Sequence, residues 1–269
     1  PSRGLGDVYK RQGCIGSKLS KKEFDFFKES QPWGFILFSR NIESKAQVKL
    51  LTMELRESVG RNAPILIDQE GGRVQRMRSP EWMEYLPALT QVKKSGSHAG
   101  RVMYLRSRLI ALELNEIGID VNCAPVADLL KPNTHTILAD RCYGETVEAV
   151  VKISRAVATG LLDGGVLPVV KHIPGYGRAV VDGHEQLPIV REPLEVLRKT
   201  DFLPFKLLAD LPISMTAHIT YTNIDDTPAT ISKKMLSLIR NNLEYKNLII
   251  TDDISMGALE LSLIHISEP

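Results

Sequence analysis

The sequence is short of several things, and each shortage closes a line of explanation. Only three cysteines stand among 269 residues, Cys14, Cys123 and Cys142, and no two form a CxxC pair. An odd count at scattered spacings offers neither a disulfide framework nor a structural zinc site, and it points to a reducing, cytoplasmic setting. Charge of either sign is not in excess: 34 basic and 32 acidic residues leave a net charge of +2. With no long basic or acidic run, neither nucleic acid nor a membrane surface is an expected partner. No apolar run reaches the length of a membrane span. GxGxxG and GxxxxGK[ST] are both missing, which removes the usual nucleotide-binding readings. There is no internal repeat and no linker, so a single domain is expected.

What is present is a set of short apolar runs, each ending in chemically capable residues. GFILF (34–38) leads to Ser39, Arg40 and Asn41; PILI (64–67) leads to Asp68, Gln69 and Glu70; IDVNCAPVA (119–127) ends at Asp128. VLPVV (166–170) ends at Lys171 and His172, ISMTA (213–217) at His218, and NLIIT (247–251) at Asp252 and Asp253. Runs this short and rich in Val and Ile read as buried parallel strands. Between them, 44–59, 100–117, 145–163 and 232–243 carry helical periodicity. The stripes are Val48, Leu51, Leu55 and Val59 in the first, and Val102, Leu105, Leu109 and Leu112 in the second, with Ser232 as the N-cap of the last. Alternating strands and helices demand a parallel sheet. Polar residues at six strand ends fit a (β/α)8 TIM-type barrel, whose sites form at that face, better than an open doubly wound sheet.

Histidine is scarce, six in all, yet two of the six lie in KHIPGYGRAVVDGHEQLP (171–188). Asp182 and His184 are two apart, so an extended backbone puts both side chains on one side and allows a carboxylate–imidazole hydrogen bond. Such a His can give a proton to a leaving group and take one from water; the same triplet also reads as a turn-capping Asp in a surface loop. In ITDD (250–253) one Asp caps the SMGALE segment and the other is free to act as nucleophile or metal ligand. IDQEGGRVQR (67–76) gathers Asp68, Glu70, Arg73 and Arg76 around a glycine pair, and DRCYG adds Arg141; this is either a salt-bridged turn or a site for hydroxyl- and amide-bearing ligands.

Taken together, PWGFILFSRNI, ILIDQEGGRVQR, the KH-P-G-G-D-H loop, DFLPFKLL, MTAHI and ITDDISM match one family in order and spacing, from about Gly13 to Leu259. The sequence resembles the bacterial β-N-acetylhexosaminidases of glycoside hydrolase family 3, the cytoplasmic enzymes of peptidoglycan recycling. The resemblance implies a retaining exo-β-N-acetylglucosaminidase with Asp252 as nucleophile and His184 as general acid/base, supported by Asp182. It implies sugar contacts from Asp68, Arg76, Arg141, Lys171 and His172, with no cofactor and no metal, and a monomer acting on a small sugar substrate of the N-acetylglucosaminyl-anhydromuramyl peptide type. The glycines of the loop are expected to loosen it, so that the acid/base approaches only with substrate bound.

Tyr176 and Gly183 depart from the family pattern, and neither removes a catalytic residue. Residues 1–12 and 261–269 fit no pattern in the rest and resemble adapter-derived sequence. The catalytic barrel is expected over 13–260, without an eighth strand and helix, which would leave two open edges and a weakly stable fold. Three rival readings stay open: a metal-dependent barrel hydrolase using His172, Asp182, His184 and His218, a catalytically silent N-acetylglucosamine-binding barrel, and a phosphorolytic variant in which phosphate replaces water as the acceptor.

Overall fold

The computed structural model describes residues 11–182 and 186–253. Seven strands make one parallel sheet: β1 (Arg11–Gln12), β2 (Gly34–Leu37), β3 (Ile65–Ile67), β4 (Val121–Asn122), β5 (Leu167–Ile173), β6 (Ile213–Thr216) and β7 (Leu248–Ile250). Each strand pairs with the next one along the chain, so spatial order equals chain order from β1 to β7. A doubly wound sheet reverses direction at a switch point; this one never does, which is the progression of a (β/α)8-type barrel. Among the described residues, no eighth strand joins β7 to β1. β1 lies outside the 13–260 span expected from sequence.

The longer helices are α1 (Lys21–Ser30), α2 (Lys45–Val59), α3 (Ala99–Glu116), α4 (Val147–Leu162) and α5 (Lys233–Asn241), with shorter ones at Ala88–Ser95, Thr136–Ala139, Leu194–Lys199 and Leu203–Leu207. Ser44, Thr146 and Ser232 cap α2, α4 and α5, each accepting a backbone N–H three residues on. α1 is not among the helices expected from the apolar pattern. Its signal is the SKKE of 20–23, a capping box in which Ser20 and Glu23 satisfy each other's backbone N–H groups. No helix among the described residues is long and apolar enough to cross a membrane.

Alternation along the strands divides the core in two. Leu66, Val121, Cys123, Val169, Ile213, Met215 and Ile250 fill the barrel interior, while Ile65, Ile67 and Val170 face outward into the larger cluster under the helices. Each such side chain contributes roughly 1.5–3 kcal/mol on full burial. The same alternation points Lys171 within β5 inward above Val169 and, carried past the ends of β3 and β7, points Asp68 and Asp252 inward above Leu66 and Ile250.

One expected face is reversed. On α3, Leu105, Leu109 and Leu112 are 44, 44 and 57% exposed, and the buried side is Met103, Arg106, Ser107, Ile110, Ala111 and Leu114. The reason is the tight seam with α4. A Cβ on Gly160 would fall 2.4 Å from the Tyr104 carbonyl oxygen, and one on Gly164 would fall 2.3 Å from the Ala111 Cβ. A seam that close selects small and polar residues, so the larger leucines mark the outer face.

Candidate active site

The strand ends carry a chain of alternating charge. Arg76 Nη2 donates to Asp68 Oδ2 (3.1 Å), and Asp68 Oδ1 accepts from Lys171 Nζ (2.8 Å). Lys171 also reaches Glu70 Oε1 (2.6 Å), and Arg141 grips Glu70 with both arms of its fork, Nε to Oε2 at 2.9 Å and Nη2 to Oε1 at 2.8 Å. Arg141 Nη2 then lies 3.4 Å from His172 Nε2, whose other ring nitrogen is 2.6 Å from Asp128 Oδ2. Lys171 is 2% exposed and Asp128 fully buried, so these groups interact with little screening.

The electrostatics follow from that contact list. Burial would raise the Glu70 carboxyl, but Arg141 and then Lys171 outweigh it and bring it down to about 2. Burial likewise opposes ionisation of Asp68, and Lys171 with Arg76 drives its carboxyl well below the usual carboxylate range. Lys171 is desolvated too, yet the two carboxylates raise it. Asp68, Glu70, Lys171 and Arg141 are therefore held in their charged forms, fixed before any ligand arrives.

Above this floor lies a pocket lined by Ile137, Arg141, His172, Tyr176, Asp182, Ala217, His218 and Asp252. Asp252 is half-buried at the turn after β7, where its Oδ1 accepts the Asp253 N–H (2.8 Å). Burial would raise its carboxyl, but His172, His218, that N–H and Lys171 together lower it, leaving an anion ready at neutral pH. His218 is held below its usual range, chiefly by burial, with Nε2 donating to the Asp253 carbonyl oxygen (2.9 Å) and Nδ1 2.7 Å from Thr230 Oγ1.

The loop after β5 is packed more closely at its start than its glycines suggest. A Cβ at Gly177 would stand 1.9 Å from the Leu129 carbonyl oxygen, and Gly175 adopts φ +146° against Asp201. These two glycines permit close approach of backbone; they do not loosen it. Tyr176 between them is buried, its N–H donating to Asp128 Oδ1 (2.7 Å) and its ring 5.6 Å from that of His172. The peptide joining Lys171 to His172 is cis.

Of the expected site residues, Asp68, Arg76, Arg141, Lys171, His172, Asp182 and Asp252 come together on this one face. His184 and Gly183 lie outside the described residues. Arg73 does not join the others: it is exposed and donates to the Ile137 carbonyl. Glu70 and Asp128 prove central as counter-ions. Both stood at strand ends in the sequence, but only the folded chain shows whom they hold. Among the described residues no group of three or more His, Cys, Asp or Glu is arranged to hold a metal ion. The three cysteines are buried and none is in a disulfide.

The profile of the glycosyl hydrolase family 3 N-terminal domain matches residues 9–265. The chain is 34% identical over 246 residues to a β-hexosaminidase of Actinobacillus pleuropneumoniae serotype 5b (strain L20), covering 89% of this chain and 70% of that protein. It is 37% identical over 255 residues to the β-hexosaminidase of Alkalilimnicola ehrlichii, covering 91% and 72%. Among solved structures it is similar to NagZ from Neisseria gonorrhoeae, with a TM-score of 0.85 and 29% identity over 93% of this chain and 74% of that one. The family 3 β-N-acetylglucosaminidase of Paenibacillus sp. gives a TM-score of 0.86 and 29% identity, with this chain spanning 49% of that longer chain.

Proposed function

The chain belongs to glycosyl hydrolase family 3, built on that family's N-terminal domain, and on this premise we propose that it is a retaining exo-β-N-acetylglucosaminidase. The observation that carries the reading is the pocket itself, where the carboxylate after β7, Asp252, and the loop carboxylate Asp182 line one cavity above a pre-ionised floor. A β-hexosaminidase activity in relatives that match about nine-tenths of this chain supports it.

In this reading, Asp252 attacks the anomeric carbon of a terminal β-linked N-acetylglucosamine. The bond to the aglycone oxygen breaks as His184 delivers its proton to that oxygen, and a covalent glycosyl-enzyme remains. His184, held by Asp182, then takes a proton from water, whose oxygen displaces Asp252 and releases the sugar. This is the double displacement of retaining glycosidases, with an imidazole in place of the acid/base carboxyl. Asp68, Arg76, Arg141, Lys171 and His172 bind the sugar, offering fixed charges to hydroxyl and amide groups. No cofactor or metal enters these steps. The family membership supports a cytoplasmic monomer acting on cell-wall fragments in recycling.

The test is release of a chromogenic aglycone from an N-acetyl-β-D-glucosaminide by the chain beside its Asp252→Ala and His184→Ala variants. Asp252→Ala is expected to lower kcat by about 10⁴-fold or more, the scale on which a lost nucleophile registers. Turnover that survives Asp252→Ala would remove that residue from the mechanism, and turnover abolished by a chelator would favour metal-assisted hydrolysis.

A further inference from the structure

One side chain ties together both limbs of the loop that carries Asp182. Arg178, in the outgoing limb, donates from Nε to Asp201 Oδ2 (2.8 Å) and from Nη1 to Glu192 Oε1 (2.7 Å). Glu192 belongs to the returning limb, just past Ile189–Val190, which pairs with Thr220–Tyr221. Asp201 is 1% exposed, sits at the junction of the short helices Leu194–Lys199 and Leu203–Leu207, accepts the Thr200 hydroxyl (2.7 Å) and packs beneath Gly175. The outgoing limb is further held by Thr134 Oγ1, which donates to the Gly177 carbonyl oxygen (2.5 Å), and by the His135 N–H on the Ala179 carbonyl oxygen (2.9 Å). None of Arg178, Glu192 and Asp201 lines the sugar pocket.

We propose that Arg178 is a positioning residue for the general acid/base. By bridging Asp201 and Glu192 it sets where the span 179–191 leaves the scaffold and where it returns, and that span carries Asp182 and His184. The inference rests on the reading of His184 as the acid. A guanidinium suits the task because its planar fork holds two carboxylates at a fixed mutual angle, which a lysine's point charge does not. An acid displaced by a fraction of an ångström delivers its proton poorly, and the loss depends on the leaving group. A phenolate of high pKa needs the proton in the transition state; dinitrophenolate departs without it.

The experiment measures kcat/KM on the phenyl and the 2,4-dinitrophenyl N-acetyl-β-D-glucosaminides for the full chain and for Arg178→Met, Arg178→Lys, Glu192→Ala and His184→Ala. His184→Ala sets the scale, with the phenyl glycoside losing up to the roughly 10²–10⁴-fold that a general acid supplies while the dinitrophenyl glycoside is spared. Arg178→Met is expected to lose roughly tenfold or more on the phenyl glycoside beyond its loss on the dinitrophenyl one. Glu192→Ala should lose less in the same direction, and Arg178→Lys should recover part of the selectivity. If Arg178→Met yields no soluble protein, Glu192→Ala decides, since it leaves the buried pair with Asp201 intact. Equal losses on both glycosides in the Arg178 and Glu192 variants, with His184→Ala still selective, overturn the proposal and leave the acid assignment standing. Equal losses in His184→Ala overturn both.

Discussion

On one side of the pocket, Asp68, Glu70, Arg141, Lys171 and His172 stand on or close to strand ends, each bound to its neighbour. On the other side, Asp182 arrives on a loop clamped at its limbs, and Asp252 on the turn after β7. The first group has every charge answered inside the protein. The second faces the cavity where reacting atoms would sit. The difference teaches that binding and chemistry are assigned to parts of the molecule with opposite needs. A binding floor gains from charges fixed in advance, whereas groups that make and break bonds must approach the substrate.

The comparison is broken most severely at Lys171. Lys171→Met leaves Asp68 and Glu70 buried beside each other without their shared cation, and is expected to cost about 3–5 kcal/mol of stability by urea denaturation. A loss below about 1 kcal/mol would mean that the floor is not held by its charges. Acid gives a milder version of the same test. Glu70 has its carboxyl lowered from 4.5 to about 2 in the folded protein, and Asp68 is depressed further. A depressed carboxyl contributes stability that is complete above the unfolded value near 4.5 and lost as pH falls through the folded value. Glu70 alone then accounts for about 3 kcal/mol between pH 5 and 2. Urea midpoints across that window should fall steeply, and a flat profile would contradict the ion-pair geometry. The smallest stability effect belongs to the loop. Asp182→Asn should change stability by less than about 1 kcal/mol while lowering kcat/KM by roughly tenfold or more. A variant that loses stability and activity in proportion would erase the distinction between floor and loop.

Much of the scaffold was legible because buried parallel strands are written as short Val- and Ile-rich runs, and period-2 alternation carries through to the residue that follows. Leu66 to Asp68, Val169 to Lys171 and Ile250 to Asp252 can each be counted off the chain. Pairings were not legible, because nothing local in the sequence says that Glu70 will meet Arg141 or that Asp128 will meet His172. Those partners are 71 and 44 residues apart. The outer leucines of α3 misled for a related reason: which side of a helix is buried depends on how closely its neighbour approaches, and Gly160 in α4 with Gly164 just past its end sets that distance. The loop glycines misled in another way, since a residue without a Cβ serves tight packing as readily as freedom.

The pairing of Asp68 with Lys171 spans 103 residues, and this has a consequence for how the protein is made. Strands that neighbour each other in order of synthesis can pair as they leave the ribosome. Arg76 and Arg141 can reach Asp68 and Glu70 earlier, but the cation the two carboxylates share cannot. At about 5–20 residues per second, roughly 5–20 s of translation separates the acids from the lysine that answers them. During that interval the nascent half-barrel must keep the top of β3 open to water, so the charged floor of the site waits on β5, however early the first three strands have assembled.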